Sequence, residues 1–70
     1  MNIEKIKSIL KQMQENQEYM SEALDEYQEA KRDTSSLSEM RQKNTLDRFE
    51  NLARYSKNLS MIILAGINEQ

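Results

Sequence analysis

The sequence predicts an all-α fold, an antiparallel two-helix hairpin that resembles a coiled coil and is completed by dimerisation or by a partner protein. Proline is absent and glycine occurs once, although these residues commonly interrupt helices, and 31% of the residues are charged. Apolar residues recur at alternating spacings of three and four, which is the heptad pattern of packed helices. One cluster of small polar residues, Thr34-Ser35-Ser36, marks the place where the chain turns.

The first helix is predicted over about residues 3–32. Ile9, Ala23 and Ala30 fall at heptad position g and widen the apolar stripe, as in a helix packed in a bundle. Gln17 interrupts the seam, either as an amide that fixes register through a hydrogen bond or as a tolerated residue in an exposed layer. With Ile3 at position a, the a and d positions are Ile3, Ile6, Leu10, Met13, Gln17, Met20, Leu24, Tyr27 and Lys31.

The connection is predicted over about residues 33–36 and the second helix over about residues 37–66. Ser36 and Glu39 have the spacing of a capping box, and Gly66 is a typical stop signal near the end of a helix. A short connection makes the helices antiparallel, so residues whose numbers sum to roughly 70 should lie at the same level of the hairpin. Leu24 is therefore expected to meet Leu46 between the helices.

The open end of this hairpin carries more large apolar residues than one helix contact can bury. The run from Leu59 to Ile67 is apolar on almost every side of a helix. Each buried side chain of this kind is worth roughly 1.5–3 kcal/mol, so exposing several would cost as much as the whole stability of a small domain. We therefore predict a partner-binding site that consists of Ile3, Ile6, Ile9, Leu10, Leu59, Met61, Ile62, Ile63, Leu64 and Ile67.

The composition argues against catalysis and against a cofactor or a metal site. Histidine and cysteine are absent, and one glycine cannot form a glycine-rich phosphate loop. Acidic residues on the first helix fall at positions that face away from the seam, where they do not converge on a metal ion. These acidic residues are Glu15, Glu18, Glu22, Asp25, Glu26 and Glu29.

Charge and hydropathy restrict the partners further. A net charge of -2 and a pI near 5.1 disfavour general binding to nucleic acid. The apolar run is shorter than the roughly 20 residues of a membrane-spanning helix, and the N-terminal residues lack a signal-peptide core. We expect a cytoplasmic protein of a bacterial or phage-infected cell.

The stretch from Gln42-Lys43-Asn44-Thr45-Leu46 through Leu52 and Leu59 to Met61-Ile62-Ile63-Leu64 is similar to the second helix of a known family. That helix, with the length and pattern of the whole chain, resembles the small co-chaperones of bacterial type III secretion needle subunits. The resemblance implies a helical hairpin that stabilises a tetratricopeptide-like chaperone, and with it keeps the needle subunit soluble until export. Without that partner, the same surface is expected to form a homodimeric four-helix bundle.

Two other functions stay open at this point. Arg41 and Arg48 lie one heptad apart and would form a basic face in a homodimeric RNA-binding regulator. The acidic residues Glu18, Glu22 and Glu26 would instead dock a basic partner if the chain were a phage-type inhibitor.

Overall fold

The computed structural model describes residues 2–68, which form two helices joined by a short connection. Helix α1 spans Ile3–Arg32 and helix α2 spans Ser38–Asn68. The helices pack against each other in a hairpin that measures 54 × 15 × 10 Å along its principal axes. The predicted all-α antiparallel hairpin is confirmed, and the described residues contain no strand.

A side chain at the start of α1 and a backbone amide at its end satisfy groups that a helix terminus leaves unpaired. Asn2 is the N-cap, and its Oδ1 accepts a hydrogen bond of 2.8 Å from the Lys5 amide. At the other end, the Asp33 amide donates to the carbonyl of Ala30, while Lys31 and Arg32 place positive charge near the negative end of the helix dipole.

The connection is organised by Asp33 and not by the predicted capping box of Ser36 with Glu39. The Asp33 carboxylate accepts hydrogen bonds from the amide and the hydroxyl of Ser35, at 2.9 and 3.0 Å, which closes a tight local turn. The Ser35 hydroxyl then accepts from the Leu37 amide. Because Asp33 already orients Ser35, the hydroxyl that supports the start of α2 comes from Ser35, one residue earlier than expected.

The seam between the helices follows a strict three-four spacing, but its phase on α1 differs from the prediction. The predicted d positions lie in the seam, whereas the a positions Leu10, Gln17 and Leu24 are exposed, and the g positions take their place. The seam of α1 consists of Ile6, Ile9, Met13, Asn16, Met20, Ala23, Tyr27 and Ala30. The facing seam of α2 consists of Ser38, Gln42, Thr45, Phe49, Leu52, Ser56, Leu59, Ile63 and Gly66.

Small side chains next to the connection explain why the g positions of α1, and not the a positions, lie in the seam. The Ser38 hydroxyl donates a hydrogen bond of 2.6 Å to the Ala30 carbonyl, which holds the two helices close together at this level. Ala30 and Ala23 are completely buried there, and helices approach more closely where the side chains at the contact are small. If the larger side chain of Leu24 occupied the seam in place of Ala23, the helices would lie farther apart.

Gly66 does not end the second helix, contrary to the prediction. The helix continues to Asn68, and the glycine does not adopt a positive φ angle. Gly66 is instead buried in the seam, opposite the first turn of α1. Its missing side chain leaves room for α1 at the open end, so its role is in packing.

Candidate protein-binding surfaces

Hydrogen bonds between the helices fix their register. Asn16 bonds to Leu52 and Ser56, and the Ser38 hydroxyl bonds to Ala30, so residues at one level have numbers that sum to 68–72 in these pairs. The predicted level sum of roughly 70 is confirmed. The helix positions that flank the seam therefore form two sides of the hairpin, and the remaining positions face outwards.

One side of the hairpin is polar and carries the side-chain contacts that bridge the helices outside the seam. Arg48 donates to the Glu26 carboxylate at 2.5 Å, and the Tyr55 hydroxyl donates to Gln12 at 3.2 Å. Nearer the connection, Arg41 forms an ion pair of 2.8 Å with Asp33. We call this the polar side.

The Asp33 carboxylate is the group on the polar side whose acidity the fold changes. Hydrogen bonds from the Ser35 amide, the Ser35 hydroxyl and Arg41 stabilise its charged form and hold the pKa of Asp33 below its ordinary value. The connection is therefore tied together most firmly when this carboxylate is ionised.

The opposite side of the hairpin carries an apolar stripe that the described chain leaves uncovered. On α1 this stripe follows the a positions, and on α2 it follows the positions that lie at the same levels. Leu24 and Leu46 are 45% and 43% exposed, although they share one level and were expected to meet inside the hairpin. We call this surface the lateral stripe, and it consists of the exposed residues Ile3, Leu10, Leu24, Leu46 and Ile67 together with Ala53, which is half-buried.

The ten residues predicted to bind a partner divide into two groups. Ile9 and Leu59 are buried in the seam, and Ile6 and Ile63 are partly buried there, so these four hold the hairpin together. The other six are between 48% and 68% exposed. We call these six the open-end cluster, and they are Ile3, Leu10, Met61, Ile62, Leu64 and Ile67.

The open-end cluster surrounds its end of the hairpin. Ile3, Leu10 and Ile67 belong also to the lateral stripe, whereas Ile62 lies one heptad after Tyr55 on the polar side. Met61 lies on the face of α2 that points away from α1. The cluster is therefore not a single flat patch, and three of its residues, Met61, Ile62 and Leu64, lie outside the lateral stripe.

The arginines considered for RNA binding are engaged within the chain. Arg41 pairs with Asp33 and Arg48 pairs with Glu26, so each positive charge lies beside a carboxylate. A shallow groove of about 560 Å³ lies between these pairs near the connection. Its walls contain both arginines together with Glu26 and Glu29, which gives the groove mixed charge.

The acidic residues of α1 are exposed and, within residues 2–68, the acidic side chains form no group that could hold a metal ion. Neither described helix is long and apolar enough to cross a membrane. The chain matches no protein-family model, and comparisons with curated proteins and with solved structures found no match.

Proposed function

We propose that this chain is a non-enzymatic adaptor that binds and stabilises a partner protein through its open-end cluster. The observation that carries the proposal is the exposure of Met61 and Leu64, 58% and 61%, beside four further apolar side chains at one end of the hairpin. Exposed apolar residues that lie next to one another are characteristic of protein contact sites. Single exposed residues would need no such explanation.

The resemblance to needle-subunit co-chaperones supports a helical partner of the tetratricopeptide type. In such a complex, the open-end cluster would lie against the apolar groove of a helical-repeat protein, as an amphipathic helix does in other groove complexes. The chain would act by keeping that partner folded and soluble, with no chemical step.

The experiment that tests the adaptor function uses a paired substitution outside the lateral stripe. Met61→Glu with Ile62→Glu places two charges in the open-end cluster and leaves the seam unchanged, so the hairpin itself should remain folded. Met40→Glu is the matched control, because Met40 is also an exposed methionine on the outward face of α2 but lies near the connection.

Each tagged form is used to capture proteins from native cells, and the captured protein is identified by mass spectrometry. We expect one protein to be recovered with the unchanged chain and with Met40→Glu, and to be lost with the double variant. The melting temperature of that protein should rise when the chain is added, because a ligand that binds only the folded state stabilises it. A captured set that is identical for all three forms would contradict the proposal.

A further inference from the structure

We infer that the lateral stripe binds a second copy of this chain, with the two hairpins side by side and their connections at the same end. This dimer is a four-helix bundle whose two-fold axis runs along the hairpins. The inference concerns a surface that excludes Met61 and Ile62. It shares Ile3, Leu10 and Ile67 with the open-end cluster, so in the dimer another protein would bind the part of that cluster that lies outside the lateral stripe.

The hairpin exposes more surface than a compact protein of the same mass, and the excess is similar to the area that each subunit of a dimer buries. The accessible surface is 5565 Å², whereas a compact protein of 8.3 kDa exposes about 4,600 Å². The excess of roughly 1,000 Å² is close to the roughly 800 Å² that each partner contributes to an interface of standard size. The interior of one hairpin is correspondingly small, because its only fully or nearly buried apolar residues among residues 2–68 are Ile9, Ala23, Ala30 and Leu59.

The chemistry of the stripe changes along the hairpin, and this sequence of levels selects the orientation of the second copy. Apolar levels occupy the open end and the part near the connection. Two levels that each pair an apolar residue with a polar one lie between them, and a charged level ends the row. From the open end, the levels are Ile3 with Ile67, Leu10 with Ser60, Gln17 with Ala53, Leu24 with Leu46, and Lys31 with Glu39.

When both connections lie at the same end, every level meets an identical level. The leucines at Leu24 and Leu46 then form one layer of four, and Lys31 of each copy lies beside Glu39 of the other. A fully overlapping head-to-tail pair would place the Ile3 and Ile67 level against the charged level. That arrangement either buries charges against isoleucine or leaves the isoleucines exposed.

The rim of the same-end dimer is also free of like-charged neighbours. In this dimer, the residues of α1 that border the lateral stripe would lie beside the bordering residues of α2 in the other copy. At equal levels these neighbours are Lys7 with Leu64, Gln14 with Lys57, Ser21 with Glu50, and Gln28 with Lys43. Electrostatic repulsion therefore does not oppose this orientation.

The first test measures mass in solution by light scattering and sedimentation equilibrium over a range of concentrations. We expect a dimer for the unchanged chain. Leu24→Glu with Leu46→Glu should raise the dimer dissociation constant at least about tenfold, because four charges would enter one layer. Met40→Glu, on the outward face of α2, should leave that constant unchanged. A monomer at all concentrations, or a dimer that is insensitive to the Leu24 and Leu46 changes, would overturn the inference.

The second test reads the orientation and does not depend on how well the charged variant folds. The chain has no cysteine, so Thr34→Cys in the exposed connection accepts a single spin label. In the same-end dimer the two labels lie much closer than the 54 Å length of one hairpin. A label separation near that length would show a head-to-tail dimer and refute the proposed orientation.

These results can be separated from a failure of the adaptor function. Loss of dimerisation in Leu24→Glu with Leu46→Glu, with partner capture unchanged, supports the inference about the stripe alone. Loss of partner capture in Met61→Glu with Ile62→Glu, with the dimer intact, supports the adaptor function alone.

Discussion

Asn16 is the one polar residue within residues 2–68 that is almost completely buried, with 4% of its surface exposed. Its side-chain amide donates to the Leu52 carbonyl at 2.7 Å and to the Ser56 hydroxyl at 2.6 Å. A polar side chain in an apolar seam costs stability but favours the one register in which it is satisfied. A shift of α2 along α1 would remove both hydrogen bonds, so Asn16 opposes sliding of the hairpin.

Replacing Asn16 with alanine should therefore destabilise the protein. We expect a loss of about 1–3 kcal/mol in the free energy of unfolding, because two hydrogen bonds and part of the packing disappear. Gln17→Ala is the control, since Gln17 is adjacent but exposed, and its replacement should change stability by less than about 0.5 kcal/mol. Urea unfolding followed by circular dichroism measures both values. An equal loss for the two variants would contradict the observed phase of the seam.

Asp33 predicts a dependence of stability on pH. Its pKa is lowered in the folded state from the ordinary value of 3.8, chiefly by hydrogen bonds from Ser35, so ionisation of Asp33 favours folding. This contribution is fully present above the unfolded pKa and is lost as the pH falls through the lower folded pKa. In Asp33→Asn the loss of stability on acidification should be smaller than in the unchanged chain.

Melting temperatures measured from neutral pH down to below the ordinary pKa of aspartate test this prediction. Asp25→Asn is the control, because Asp25 is an exposed carboxylate on the outward face of α1. This variant removes one negative charge without touching the contacts of the connection, so it separates the effect of charge from the effect of those contacts. A pH profile of Asp33→Asn that is parallel to the unchanged profile would show that the Asp33 contacts contribute nothing.

At the scale of the helices, neighbouring residues of α2 have opposite roles. Ile63 is partly buried in the seam, whereas Leu64 is exposed in the open-end cluster. Ile63→Asp should destabilise the hairpin by roughly 2–4 kcal/mol, because it removes apolar contacts and places a carboxylate against α1. Leu64→Asp should leave the helical content nearly unchanged. Circular dichroism with urea unfolding distinguishes these outcomes, and equal destabilisation by both changes would contradict the assignment of faces.

The fold, the direction of the helices and their register could be predicted from the sequence, because the short connection leaves one arrangement for two heptad-patterned helices. The phase of α1, which decides which of its stripes faces α2, could not be predicted. Leu10 and Leu24 are more hydrophobic than Asn16 and Ala23, and periodicity alone does not reveal which of two adjacent stripes meets the partner helix. Packing beside Ala30 at the connection decides between them, and that depends on a contact with Ser38 that spacing does not show.

The same limit explains why the lateral stripe could not be predicted as part of the surface. The open-end cluster is visible as an excess of apolar residues at one end. The lateral stripe is not, because Leu24 and Leu46 were paired at the correct level but assigned to the interior. The sequence shows that Leu24 and Leu46 lie at the same level. It does not show that they lie on the surface, because that depends on the phase of α1.

At the scale of the whole molecule, self-association would make stability depend on protein concentration. If the lateral stripe is covered by a second copy, the melting temperature of the unchanged chain should rise with protein concentration, because association draws the equilibrium towards the folded dimer. The melting temperature of Leu24→Glu with Leu46→Glu should be lower and nearly independent of concentration. Calorimetry of samples that span about a hundredfold range of protein concentration measures both melting temperatures. Such a range takes a dimer of moderate affinity from mostly dimer to mostly monomer. A constant melting temperature for the unchanged chain would contradict this expectation.

The contrast between the two sides of the hairpin also limits how large an assembly can become. Once two lateral stripes face each other, the outer edges of the pair present Arg48 with Glu26 and Tyr55 with Gln12, groups that already satisfy one another. Because the polar side carries charged pairs where the lateral stripe carries Leu24 and Leu46, a third hairpin could not bind there by the same contact. In the proposed dimer, the ion pairs of the polar side would therefore limit this mode of assembly to two hairpins.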